Sequence, residues 1–244
     1  MLFDELIATF EGGGFTVRTS ISPFMLTTIS AAPAEDGTLT HLGRPGADWM
    51  GEPGDLSLTD LCFVEALGRA RPARRILVLG GRSGWNALAV SFANPDAGLA
   101  VLADPAGTAG AGFPTIEAAA RRRKICALAR LGPVSALDGF CDEALGGVPD
   151  LVFVDANPPG GAFEAAFAAA YAKAGPTALY LFGGLIAAGA VDRFVALAAG
   201  FPDRFAAVLS RTASGIGVLA PAGGDAALAR VANGFCDPFA TIPA

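Results

Sequence analysis

Apolar residues recur at helical spacing from residue 57 onward. Leu58, Leu61, Cys62, Val64 and Leu67 form one stripe, Ser57 stands in the N-cap position with Asp60 three residues on, and Pro72 stops the helix. The period then changes. Arg75-Ile76-Leu77-Val78-Leu79 is a short apolar run ending in Gly80-Gly81-Arg82-Ser83-Gly84. A helix is predicted from Trp85 to about residue 93, and residues 99–103 form a second apolar run that ends at Asp104. Strand, glycine turn, helix and strand in that order make a βαβ unit.

The alternation continues to the C-terminus. Thr115 is expected to cap a helix reaching Arg130, which Gly132-Pro133 terminates, and residues 134–137 to form a short strand. Residues 151–154 are a strongly apolar strand ending at Asp155. An alanine-rich helix over 161–173, a strand over 178–182 and a helix over 191–199 follow, then paired strands over 205–209 and 216–219. Continuous apolar strands alternating with helices imply an α/β, doubly wound parallel sheet covered on both faces. Upstream, a short helix over 2–10 ends at Gly12-Gly13-Gly14, two β-leaning runs span 15–21 and 25–29, and a Gly/Pro-rich segment over 41–54 holds Trp49 and Met50. The chain therefore divides into an N-terminal extension or cap, 1–56, and a main domain, 57–244.

Composition narrows the partners. The chain is 52% hydrophobic, which excludes intrinsic disorder, and its 23 acidic against 17 basic residues repel a phosphate backbone. The basic run Arg121-Arg122-Arg123-Lys124 reads as a solvated helix face. The charge-free stretch between Lys173 and Asp192 approaches the length of a membrane span, but Gly175, Pro176, Gly183, Gly184 and Gly189 break it. No basic, then apolar, leader opens the sequence. The four cysteines form no C-x-x-C pair and read as the reduced thiols of a cytoplasmic protein. With His41 the only histidine, a His-rich zinc site is excluded.

In a doubly wound sheet, ligands bind beyond the carboxyl ends of the strands near the point where strand order reverses. The residues there are Gly80 to Gly84, Asp104 and Asp155. The glycines admit close backbone approach, the helix that follows offers free N–H groups, and Asp104 lies about where an acid would accept ribose hydroxyls. Nucleoside binding is the expectation.

These stretches, with Gly139-Phe140-Cys141-Asp142-Glu143-Ala144-Leu145, Asp150-Leu151-Val152-Phe153-Val154-Asp155 and the late Gly215-Ile216-Gly217-Val218-Leu219, resemble the class I S-adenosylmethionine-dependent methyltransferases over roughly residues 57–221, most of all the small-molecule O-methyltransferases. The resemblance implies a Rossmann-like methyltransferase fold, with a mostly parallel seven-stranded sheet and an antiparallel last strand. It implies S-adenosylmethionine as cofactor, with Gly80, Gly81, Arg82 and Gly84 lining the methionine part, Asp104 holding the ribose, Phe140 and Cys141 flanking the adenine, and Asp155 at the cofactor. The departures are Val78, where the family usually has an acid, and Arg82 in place of the loop's middle glycine. Phe182-Gly183-Gly184 stands where the metal-dependent branch carries an Asp-Asn pair, so no metal site is expected.

The function expected is metal-independent methyl transfer to a small molecule, with Asp155 and His41 as candidate catalytic residues. A methyltransferase-like scaffold that has lost catalysis stays open, motivated by Val78 and Arg82. So does an NAD-dependent oxidoreductase, although the loop lacks the Gly-x-Gly-x-x-Gly spacing that accommodates a pyrophosphate. A homodimer is also left open.

Overall fold

The computed structural model describes residues 2–13, 15–21, 27–33, 56–80, 84–103, 113–123, 127–155, 163–186 and 189–236. It opens with helix α1 (Leu2–Gly12) and an antiparallel hairpin of β1 (Phe15–Ile21) and β2 (Thr27–Pro33). The second β run thus starts two residues later than expected and extends to Pro33; Met25 lies outside the described residues. Next come α2 (Leu58–Ala70), β3 (Arg75–Leu79), α3 (Trp85–Phe92), β4 (Gly98–Ala103), α4 (Phe113–Arg123) and β5 (Ala127–Leu131). A 3-10 turn (Val134–Ala136) leads into α5 (Leu137–Leu145), followed by β6 (Leu151–Asp155), α6 (Phe163–Ala174), β7 (Leu179–Gly183), α7 (Val191–Ala198), β8 (Ala206–Leu209), β9 (Ile216–Leu219) and α8 (Ala226–Phe235).

Seven strands make one sheet in the order β5-β4-β3-β6-β7-β9-β8. All neighbours are parallel except β9, which runs against both β7 and β8. Strand β3 is central with β6 beside it, as their unbroken apolar character requires. Alternate side chains feed two cores. Ile76, Val78, Leu151 and Phe153 face α1, α2, α3 and α8, while Leu77, Leu79, Val152 and Val154 face α5, α6 and α7.

The region between Thr115 and residue 137 corrects the expectation. Thr115 is not a cap but the third residue of α4, buried against Gly13 at the end of α1. The helix ends by Arg123, and residues 127–130, expected as helix, belong with Leu131 to the edge strand β5, paired with β4. Alanine, leucine and arginine favour helix locally, but the open edge of β4 offers Ala127–Leu131 a full backbone ladder, and tertiary pairing wins. Residues 134–137, expected as a strand, are instead the 3-10 turn and the start of α5.

Helix α1 is built into the first core. Leu6 and Phe10 are buried there, and the Phe10 ring lies 5.1 Å from that of Trp85 at the head of α3. Glu5 pairs with Arg123 of α4, whose guanidinium also sits 3.8 Å over the Phe92 ring. The basic run is thus partly neutralised, with Arg121 also pairing with Glu117. Among the described residues no helix is long and apolar enough to cross a membrane.

Candidate functional site

Connections from β3 run through β4 to β5 on one side, while β6 and β7 build the other, so strand order reverses between β3 and β6. That is where a crevice opens in a doubly wound sheet. Its floor is a row of three residues: Gly80 just past β3, Asp155 at the end of β6, and Gly183 paired with Asp155 at the end of β7. Gly80 has φ +98°, and a Cβ on it would lie 2.6 Å from the Asp155 Cβ. Only glycine combines that conformation with that proximity. A Cβ on Gly183 would lie 2.4 Å from the Phe153 ring. Asp155 therefore stands as the one side chain in a row flanked by glycines. Gly84, at φ +80°, is the N-cap of α3 and offers its first turn no side-chain acceptor. The α3 N-terminus, with its positive end of the helix dipole, thus opens on the same side of the sheet as Gly80 and Asp155.

The head of α2 spans this end of the sheet. Leu56 donates its N–H to the Asn86 Oδ1 at 2.9 Å and accepts the Trp85 indole N–H at 3.0 Å, which ties it to the first turn of α3. The expected capping box is present: Ser57 N–H donates to the Asp60 carboxylate at 2.7 Å, and the Asp60 N–H donates to Ser57 Oγ. On the far side Ala213 N–H donates to Thr59 Oγ1 at 3.0 Å, and Ser214 N–H points at both Asp60 oxygens at 3.4 Å. Sequence reasoning found Asp60 as a cap but missed its tie to the 212–214 turn, and missed Asn86. Asn86 carried no signal, because its partner lies 30 residues upstream.

Burial pushes the Asp60 carboxyl above the ordinary carboxylate range, against the opposing hydrogen bonds from Ser57 and Ser214. A folded pKa above the unfolded one favours folding fully below the unfolded value, and that contribution is lost as pH rises through the folded value. Asp60→Asn cannot ionise. Its urea midpoint, measured from about pH 4 to pH 7, is therefore expected to improve relative to wild type as pH rises. Parallel curves would show that Asp60 titrates alike in both states.

Other expected site residues fall as follows. Val78 is fully buried in the first core, so the family's acid position is here a packing position. Phe140 and Cys141, expected to flank an adenine, are core-facing residues of α5. They lie within α5, buried in the second core with Leu77, Leu79 and Leu102. Burial raises the Cys141 thiol to about 11, so it stays protonated. The residues that follow β5 are Gly132 and Pro133, and Gly132 N–H donates to Ala103 O at 2.9 Å, beside the end of β4. His41, Trp49, Met50, Gly81, Arg82, Ser83 and Asp104 lie outside the described residues.

Among the described residues, those beside Asp155 do not fit a metal ion of the kind the metal-dependent branch carries. Beside Asp155, Gly183 has no side chain and the Phe153 ring fills the space one would need, while Gly184 is at φ +77°. No group of three His, Cys, Asp or Glu side chains gathers among the described residues.

No protein-family model and no curated protein sequence matches the chain. Solved structures do. The O-methyltransferase TomG from Streptomyces achromogenes, solved in complex with SAM, superposes with a TM-score of 0.51 at 23% identity, over 67% of this chain and 79% of its own. An O-methyltransferase from Bacillus cereus in complex with SAH gives 0.51 at 18%, over 68% and 83%. Cofactor-bound Rv0187 from MTB gives 0.52 at 17%, over 90% of this chain and 88% of its own. The fold is that of the Rossmann-like methyltransferases.

Proposed function

We propose that the chain is an S-adenosylmethionine-dependent methyltransferase that acts on a small-molecule acceptor without a metal ion. The carrying observation is the crevice floor, where Gly80 at φ +98° lies against Asp155 and leaves a cradle that any Cβ would fill. The structural neighbours TomG and the Bacillus cereus protein, solved with SAM and SAH, support the choice of ligand.

When bound, the cofactor supplies a methyl group made electrophilic by its sulfonium, which leaves the protein to align the reactants and exclude water. In this reading the backbone at Gly80, Gly81 and Gly84 and the first turn of α3 receive the methionine part. Arg82 offers a forked hydrogen bond to its carboxylate, taking over charge recognition that Val78 cannot give. Asp104, one residue past β4, accepts the ribose hydroxyls. On the adenine side the wall is formed by Gly132 and Pro133 together with Phe140 and Cys141, given the bond from Gly132 to Ala103. Asp155 presents its carboxylate where cofactor and acceptor meet. His41 stays a second candidate for proton transfer. Residues 1–56 are an extension of the 57–244 domain, with α1 anchoring it. The reading places the protein in the cytoplasm, where Cys62, Cys141 and Cys236 remain thiols, and is compatible with a homodimer.

Titration calorimetry with S-adenosylmethionine, S-adenosylhomocysteine and NAD tests the reading. Binding of the first two and not the third is expected. Asp104→Ala should weaken S-adenosylhomocysteine by at least about tenfold, since removing a charged acceptor from two hydroxyls costs on the order of 1–3 kcal/mol. Binding of neither adenosyl ligand would overturn the assignment, and NAD binding in their place would redirect it to dinucleotide chemistry.

A further inference from the structure

We infer that Ile186 determines acceptor specificity, as a fixed apolar platform on the β7 side of the crevice, and that the acceptor is an uncharged molecule with an apolar face. The inference rests on the methyltransferase reading and deepens it.

A single exposed isoleucine is ordinary on a protein surface. Ile186 differs in place and in construction. It is 48% exposed, and only Val148 and Val195 join it as exposed large apolar residues among those described. Val148 precedes β6 at the opposite, amino-terminal end of the sheet, and Val195 lies on α7. Ile186 alone follows a parallel strand at its carboxyl end, three residues beyond the Gly183 that pairs with Asp155.

The residue is held on both sides. Its N–H donates to Ser214 O at 3.0 Å and its carbonyl accepts from Gly189 N–H at 3.1 Å. Its neighbour Leu185 donates to Gly215 O at 2.9 Å and accepts from Ala190 N–H at 2.8 Å. The side chain rests against Gly215, where φ is +75° and a Cβ would come within 2.4 Å of the Ile186 Cγ1. The β9 turn has thus been emptied to seat an isoleucine that remains half in water. Holding an apolar group rigidly at a crevice removes the ordering cost that a ligand would otherwise meet.

The surroundings select for an uncharged occupant. From Asp155 toward β9 the described residues along this rim are Gly183, Gly184, Leu185, Ile186, Ser214 and Gly215, none of them ionisable, and the Asp60 carboxyl that the Ser214 N–H points at is fully buried. A charged group brought onto that surface would leave water without a compensating partner there. Asp155, at the inner end, can accept a hydrogen bond from a hydroxyl or amine on the acceptor's reacting edge.

The probes are 2-naphthol, an uncharged hydroxyl compound with an apolar face, and ethanolamine, small and cationic. Binding of each to protein saturated with S-adenosylhomocysteine is followed by fluorescence for the first and calorimetry for the second. The wild type is expected to bind 2-naphthol in preference. Ile186→Ser should weaken that binding by about fivefold, the effect of uncovering a half-exposed isoleucine, and Ile186→Leu should keep it within about twofold. Affinity for S-adenosylhomocysteine should be the same in all three proteins, which shows that the variants are folded. Preference for ethanolamine, no 2-naphthol binding, or equal affinity in Ile186→Ser would overturn the proposal while leaving the cofactor assignment intact. Failure of the wild type to bind S-adenosylhomocysteine would overturn both.

Discussion

Arg204→Lys is expected to lower stability by about 3 kcal/mol, and the melting temperature by about 6–12 °C for a chain of this size. Arg204 is buried at the amino-terminal end of β7, and among the described residues no carboxylate forms an ion pair with it. Its guanidinium instead donates to three carbonyls: Ala220 at 2.5 Å, Pro176 at 3.0 Å and Ala178 at 2.9 Å. The rings of Tyr180, Tyr171 and Phe201 surround it at 5.5 to 5.8 Å. These contacts knit the entry of β7 to the end of β9. Burial works against the charge and lowers the Arg204 pKa, while the tyrosines beside it oppose that shift. Lysine keeps the charge but is a point donor. It cannot span three acceptors in the plane of a fork or stack between rings, so it retains the desolvation penalty and loses much of the compensation. Differential scanning calorimetry reads the result, and a fall below about 2 °C would show that the fork contributes little.

Nothing around Arg204 was legible in the sequence, because its acceptors are backbone carbonyls, which carry no residue identity. Legibility elsewhere follows the same division. Strands β3 and β6 announced themselves by being apolar on both faces, and the glycines after β3 by the turn they permit. The capping box of α2 was legible because its members lie within one turn. Strand β5 was not, since Ala127–Leu131 prefers helix until β4 supplies an edge to pair with. Helix α8 had a usable signal that went unread: Asp225 caps it by accepting the Leu228 N–H, and Leu228, Val231, Ala232 and Phe235 follow at helical spacing. In the candidate site, the places of Gly80 and Asp155 at strand ends were legible from position along the chain. Their mutual contact, and the packing of Phe153 into the space beside Gly183, required the sheet to be assembled. The burial of Phe140 and Cys141 against Leu77, Leu79 and Leu102 likewise appears only once α5 is packed on the sheet.

Gly80→Ala is expected to damage both stability and ligand binding, and a second glycine separates its two causes. At φ +98° an alanine is strained, at a cost of about 1–2 kcal/mol. Its Cβ must also displace the Asp155 Cβ, 2.6 Å away on a neighbouring strand, and overpacking of that kind adds about 1–3 kcal/mol. Gly146 lies at φ +59° with nothing within 4 Å of its missing Cβ, so Gly146→Ala carries the conformational strain without the collision. Denaturant unfolding should place Gly80→Ala below Gly146→Ala by about the overpacking increment. Calorimetry should show S-adenosylhomocysteine affinity unchanged in Gly146→Ala and reduced by at least about thirtyfold in Gly80→Ala, equivalent to about 2 kcal/mol. The loss follows because Asp155 and the start of the glycine loop share one small space, and the collision moves both. Equal stability losses in the two variants, with affinity intact in both, would mean that Asp155 yields freely and that the contact does not shape the crevice.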